Sequence, residues 1–195
     1  MDVVMCSSRA EDSAGALAEA GVSVVVSEAG VFPAVAEDSA AAERAGDGEM
    51  SSKAFIDLID EAAVLSAVAA AEKRTSGEVR VFISRRRLRG KDVSACASAE
   101  FHRLDMDTTD DRNAVLFYVV PRDRVFAVIG DEAVHAKCGQ NFWEETARIL
   151  EKDFAAERFT EGLIAGVERA ADLLAAHFPR RSNDRNELPD AIARD

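Results

Sequence analysis

Cysteine is scarce in this chain: Cys6, Cys96 and Cys138 are the only three in 195 residues, and no C-x-x-C pair occurs. An odd, widely spaced set argues against a disulfide framework or a structural zinc site and fits a reducing cytoplasm, with Cys96 and Cys138 read as packing residues. Histidine is equally thin. His102, His135 and His177 have no neighbouring serine or cysteine motif, so no nucleophilic triad is legible. His135 follows Glu132 by three residues, a metal-compatible helical spacing, but a lone pair is weak and a solvated face is the commoner role. Phosphate-cradling glycine loops and the dinucleotide fingerprint are missing. Long apolar runs are missing too. The longest near the start, residues 22–26, falls far short of the roughly 20 residues of a membrane span and has no basic stretch before it. The expectation is therefore no membrane insertion. Basic excess is also lacking: the net charge is −12, which disfavours non-specific nucleic-acid binding.

The acidity is unevenly placed. Residues 1–49 hold 2 basic and 10 acidic residues, whereas the remainder holds 22 and 26, so the rest of the chain is near neutral. Residues 1–49 lack the periodicity seen later, and their small, acidic composition reads as a disordered lead-in or an over-extended gene model. Residues 11–20 suit a short helix and 22–26 a strand, neither with an obvious partner. Residues 50–179 form one domain of ordinary size, and 180–195 a polar C-terminal tail.

Within that domain, residues 113–132 carry the strongest signal. They read as two strands, apolar on both faces, joined by a polar turn at Pro121-Arg122-Asp123. Strands of that kind need helices above and below. Ahead of them, a helix opens at Asp57 or Asp60 and carries Leu65, Val68 and Ala69 along one face. Lys73 and Arg74 close it, and Gly77 is placed to take a left-handed position after it. A strand at 78–84, a basic loop at 85–91 and a helix at about 92–104 follow. Beyond Asp131 come two helices. The first carries Trp143, Ala147, Leu150 and Phe154 as a stripe. The second has Thr160 as its N-cap, Phe159 and Ile164 spaced for a hydrophobic staple, and Gly162 and Gly166 for close approach to the sheet.

Strand, helix, strand between residues 78 and 120 calls for a crossover with parallel strands, and the hairpin makes the third strand antiparallel. The starts of the first two strands and the end of the third then share one edge. That brings together Thr75-Ser76-Gly77-Glu78, Asp110-Asp111-Arg112-Asn113 and Gly130-Asp131-Glu132. Carboxylates gathered there repel unless protonated, paired with Arg112, or bridged by a hard cation such as Ca²⁺ or Mg²⁺. Turn chemistry alone also favours Asp, Asn, Gly and Ser at strand ends. The basic run at 85–91 belongs to the opposite edge; it could hold phosphate groups or an acidic partner, though a solvated loop is the commoner role.

Four motifs in this order resemble the TPM-domain family, which includes thylakoid-lumen phosphatase-like and receptor-accessory proteins. They are Thr75-Ser76-Gly77-Glu78-Val79-Arg80-Val81, Arg112-Asn113-Ala114-Val115-Leu116, Gly130-Asp131, and a last helix with Phe159, Gly162-Leu163 and Gly166. The likeness spans about residues 56–178, and residues 186–190 resemble a docking segment in the tail of soluble members. It implies an α/β fold, a three-layer α/β/α sandwich on a small mixed β-sheet, with a further strand not located in this sequence. It also implies a polar cleft at the same edge, associated with divalent cations and a phosphatase label, formed by Glu78, Arg112, Asn113 and Asp131. Asp110, Asp111 and Glu132 join it by the strand-end geometry alone. Unlike many members, this sequence shows no signal peptide or C-terminal anchor, which leaves a cytoplasmic module.

The expected function is a TPM-like module that binds a divalent cation (Ca²⁺ or Mg²⁺) through Glu78, Asp110, Asp131 and Glu132, with Arg112 and Asn113 in the cleft, and presents a surface to a partner protein. The alternative is a weak metal-dependent phosphatase. There Asp131 and Glu78 hold the cation, Arg112 clamps the phosphate, and a cation-activated water attacks.

Overall fold

Two strands from the hairpin sequence, β3 (Val115–Val120) and β4 (Val125–Gly130), have every residue buried. In the computed structural model, which describes residues 23–26, 51–181, 188 and 191–195, they form the centre of a mixed sheet. Strand β2 (Val79–Ile83) runs parallel to β3, from Val79 opposite Val115 to Ile83 opposite Val119. Strand β4 is antiparallel to β3, with Val115 opposite Gly130 and Val120 opposite Val125. The turn between them is a short 3₁₀ segment, Pro121–Asp123, closed by Arg124 in the left-handed region.

Two shorter strands complete the sheet, and neither was expected to do so. β1 (Ser23–Val26) pairs antiparallel with β4. β5 (Ala193–Arg194) pairs parallel with Phe82 and Ile83 of β2, giving the order β1-β4-β3-β2-β5. Residues 22–26, read as a strand with no obvious partner, thus find one in β4. The polar tail likewise returns to the sheet at its end. The other parts of 1–49, including the expected helix at 11–20 and Cys6, lie outside the described residues. Of the expected docking segment at 186–190, only Leu188 is described, packed against the core.

Alternation along the strands sends side chains to two cores. Val79, Val81, Val115, Phe117, Phe126 and Val128 face helices α1 (Ser52–Asp57), α2 (Glu61–Glu72), α4 (Glu132–Ala155) and α5 (Phe159–His177). Phe82, Leu116, Tyr118, Ala127 and Ile129 face α3 (Val93–Arg103). The result is the expected three-layer α/β/α sandwich. Rings of Phe55, Phe126, Phe154 and Phe159 knit the first core, with centroids 4.7 Å apart for Phe55–Phe159 and 5.6 Å for Phe126–Phe154. In the second, the Tyr118 ring stacks on Phe82 at 5.4 Å. Among the described residues no helix is long and apolar enough to cross a membrane.

Several local expectations shift. Helix α1 precedes the predicted one, capped by Ser51, and it sends the fully buried Phe55 into the core; Asp60 caps α2. Gly77 is not left-handed. It is a glycine for room, because a Cβ there would meet Leu174 Cδ2 at 2.9 Å and the Asn113 carbonyl at 3.0 Å. Gly166 does approach the sheet, at Phe117, whereas Gly162 approaches Phe154 of α4. Helix α4 begins directly after Asp131 and is interrupted at Gly139 (φ 63°, ψ 176°). Thr160 lies inside α5 rather than capping it; its hydroxyl accepts from the Asp60 amide at 3.0 Å and so ties α5 to the start of α2.

The closest packing is at Gly130, where a Cβ would lie 2.1 Å from the buried Trp143 ring. Gly130→Ala must displace that ring or the strand, so it should cost about 1–3 kcal/mol. Trp143 is the sole tryptophan, so urea unfolding followed by its fluorescence reads the effect at its source. An unchanged midpoint would mean the ring has room to move. On the other face, burial pushes the Tyr118 hydroxyl up to about 12, the main cause, against a hydrogen bond with Ser84. A raised folded value means Tyr118 favours folding fully below the unfolded value near 10, and that contribution fades as pH rises through about 12. Tyr118→Phe should therefore remove a decline on the order of 2 kcal/mol between those limits, measured as urea stability against pH. Parallel alkaline profiles for the two proteins would refute this.

Candidate functional site at the carboxylate edge

One residue beyond the paired rows, the strands bring Glu78, Ala114 and Asp131 side by side. The Val115 amide donates to the Glu78 carbonyl at 2.8 Å, and the Asp131 amide to the Ala114 carbonyl at 2.9 Å. Three motifs distant in sequence therefore do converge, as the topology requires. Strand spacing puts the Glu78 and Asp131 backbones roughly 9–10 Å apart, and only the Ala114 methyl stands between them on that face. Glu78 is 4% exposed and Asp131 fully buried.

Asp131 is where β4 becomes α4. It is the helix N-cap, and its Oδ1 accepts from the Glu132 amide at 2.8 Å. Arg112 Nη2 lies 3.1 Å from the same oxygen. Arg112 is held for this by its backbone. Its φ of 51° is left-handed, its amide donates to the Thr109 carbonyl, and its own carbonyl accepts from Ala133 in the first turn of α4. Its guanidinium also donates to the Asp107 carbonyl. Burial pushes the Asp131 carboxyl above its ordinary range, while the Glu132 amide and then Arg112 pull it back down. Asp131 Oδ2 has no hydrogen-bond partner among the described residues, nor do the buried Asn113 Oδ1 and Thr109 Oγ1.

A second set of polar contacts lies beside this pair. Asn113 Nδ2 donates to Ser76 Oγ at 3.2 Å, and the Ser76 hydroxyl donates to Asp111 Oδ2 at 3.1 Å. Arg181 then pairs with Asp111 at 3.3 Å. Thr75 anchors the loop, donating to the Phe178 carbonyl at 2.6 Å and accepting from the Gly77 amide at 2.9 Å. Alternation sends Asn113 to the α5 side of the sheet, whereas Asp131 and Arg112 belong to the α3 side.

The expected cluster is therefore split. Glu78 and Asp131 are interior, but Asp110 and Glu132 are exposed. Among the described residues no three His, Cys, Asp or Glu side chains are grouped to hold a metal ion. The physical reason lies in the middle of the site, where a guanidinium already neutralises Asp131. Of the three ways of relieving carboxylate repulsion, pairing with Arg112 is the one shown. One residue escaped the sequence reading. Arg80, 7% exposed, lies on the Glu78 side of β2 and reaches the Leu104 carbonyl at 3.5 Å. Burial depresses its basicity, and Glu78 partly restores it. A lone arginine inside a strand apolar on both faces was the available signal. His135 is exposed, and His102 instead meets Asp107 at 2.9 Å.

Residues 51–173 match the family described as the TPM domain. A solved structure, the NMR structure of the BA42 protein from the psychrophilic bacterium Bizionia argentinensis, is 36% identical. It superposes with a TM-score of 0.65 and covers 69% of this chain and 92% of its own. Among curated proteins none matches the chain.

Removing the guanidinium would leave a buried carboxylate with one amide donor. Arg112→Ala should therefore lower stability by about 1–3 kcal/mol, below the loss for a fully buried pair because the Arg112 side chain is 38% exposed and partly screened. Urea unfolding of Arg112→Ala, Asp131→Asn and the double variant checks it. Strictly additive losses would mean that the pair contributes nothing as a pair.

Proposed function

The chain belongs to the TPM-domain family, and on that premise we propose that it is a binding module whose carboxylate edge takes a hard divalent cation, Ca²⁺ or Mg²⁺, and presents a surface to a partner protein. One observation carries this reading. Asp131 is wholly buried, yet its Oδ2 lacks a hydrogen-bond donor among the described residues, an arrangement that costs free energy unless something fills it. A hard cation suits the oxygen-only donors nearby. Asp131 and Glu78 would hold it, with Asp110 and Glu132 reaching in from the exposed rim, while Asn113, on the other face of the sheet, stays beside the site rather than on the cation. Arg112 competes for the same carboxylate, so the cation must displace or share its guanidinium. The cation would supply charge neutralisation and a further link between strand ends already joined by Arg112–Asp131 and Asn113–Ser76. The odd, widely spaced cysteine set supports a cytoplasmic setting, and the acidic balance supports a protein rather than a nucleic-acid partner.

A metal-dependent phosphatase is the second reading. It is favoured by Arg112, a half-exposed guanidinium beside the carboxylates and suited to clamp a phosphate. It ranks lower because the hydroxyl–carboxylate pair at this edge, Ser76 on Asp111, sits with Asn113 rather than beside Arg112 and Asp131, where the phosphate would be clamped.

Thermal unfolding of the full chain with and without each ion, beside Asp131→Asn, tests the proposal. A cation present at about a hundred times its dissociation constant stabilises by roughly 2.7 kcal/mol, a rise of several degrees in Tm. The rise should vanish in Asp131→Asn. No rise with either ion, or an equal rise in the variant, would overturn the cation site. Turnover of a simple phosphoester by the parent that is lost in a folded Asp131→Asn would move the phosphatase reading into first place.

A further inference from the structure

At the other end of the sheet, beyond the carboxyl ends of the parallel strands β2 and β3, lies a cavity of about 650 Å³. This is where open sheets of parallel strands place ligands, and the volume is that of a small-molecule site. Among the described residues, Arg85, Arg86, Arg87, Arg89, Lys91 and Arg122 line it, against two carboxylates, Glu100 and Asp195. So basic a pocket contrasts with a chain of net charge −12.

One of those carboxylates shows what the pocket accepts. Asp195 Oδ1 accepts from the Arg85 amide at 2.6 Å, and Oδ2 from the buried Ser84 hydroxyl at 3.2 Å, with Arg86 Nε 3.6 Å away. A backbone amide, a hydroxyl and a guanidinium converging on one oxyanion make an anion cradle. The cradle is built into the fold. Ser84 follows β2 and its amide donates to the Val119 carbonyl, while the loop is fastened to the hairpin turn by the Leu88 amide donating to Asp123 Oδ2 at 2.7 Å. The segment that delivers Asp195 is held by the two-residue pairing of β5, by Ile192 and Ala193 packed against the two cores, and by an ion pair between Arg194 and Glu61, so the displacement asked of it is confined to the Asp195 side chain. Leu88, Ala99 and Cys96 add an apolar wall beside the charges.

We infer that this pocket is a binding site for an organic phosphate of nucleotide size, and that Asp195 is a tethered stand-in for the phosphate, which the ligand displaces. The phosphoryl oxygens take the Arg85 amide, the Ser84 hydroxyl and the Arg86 guanidinium, and the organic part lies against the apolar wall. The site is independent of the carboxylate edge, which lies at the far ends of the same strands.

The test is calorimetric titration of the full chain with a nucleoside diphosphate and, separately, with inorganic pyrophosphate, at low salt. Freeing the cradle of its own carboxylate should tighten nucleoside diphosphate binding about tenfold in Asp195→Asn, and Arg86→Glu with Arg89→Glu should weaken it at least as much, the scale of a charge-assisted hydrogen bond. Trp143, remote from the pocket, reports whether each variant is folded. Pyrophosphate binding as tight as the diphosphate's would overturn the organic part of the ligand. Equal affinity in the parent and Asp195→Asn would overturn the tethered stand-in. No saturable binding to Asp195→Asn, or binding indifferent to the charge reversals, would overturn the site. Asp131→Asn should leave the titration unchanged.

Discussion

A strand pair buried on both faces leaves polar chemistry only its two ends. In β3 and β4 every residue is buried, because α2, α4 and α5 cover one face and α3 the other. Every charged group that these strands could carry is therefore excluded from their length and displaced to the residues just before or after. Asn113 and Asp131 mark one end; Pro121, Arg122 and Asp123 mark the other. The same constraint explains why Gly130 tolerates no side chain, since the covering helix packs its indole directly on the strand.

At the first end, one carboxylate serves three structural demands. Asp131 stops β4, caps α4 and pairs with Arg112. Charge at a helix N-terminus is favourable, and the first-turn amide gives the carboxylate a donor in a place where water does not reach. The cost is burial, which is why its carboxyl rises above the usual range despite two favourable partners. Arg112 can answer that charge only because its backbone takes a left-handed turn, which points the chain into β3 while the guanidinium folds back over Asp131. A strained backbone and a buried charge thus justify each other.

Much of this was legible in the sequence, for reasons that can be named. The hairpin was legible because strands apolar on both faces over six residues admit few alternatives, and the convergence of Glu78, Asn113 and Asp131 followed from parallel and antiparallel pairing alone. Tertiary partners were not legible. Ser23–Val26 has the composition of a strand, but nothing local names β4 as its neighbour, and Ala193–Arg194 is too short for any periodicity. Gly77 and Thr160 were assigned to local turn and capping chemistry, whereas their roles are set by Leu174 and Asp60, which lie about a hundred residues away in sequence. The candidate site was legible by position but not by contact: the sequence places five carboxylates and Arg112 at one edge, and only the folded chain shows that guanidinium on Asp131 and leaves Asp110 and Glu132 exposed.

Gross charge misleads in the same way. A balance of −12 argues against a partner that needs a broad basic face, yet it is an average over a chain that sorts its charges. The two ends of strands five or six residues long are about 15–20 Å apart, more than a screening length at physiological salt, so each end behaves electrostatically as its own surface. One end gathers carboxylates around Arg112, with Arg80 beside Glu78 and Arg181 on Asp111. The other gathers arginines around Asp195, a carboxylate delivered by the two-residue strand β5. The sheet keeps these opposite surfaces apart because its strands cannot bend back on themselves. The sign of charge at each end is therefore a property of fold topology rather than of composition.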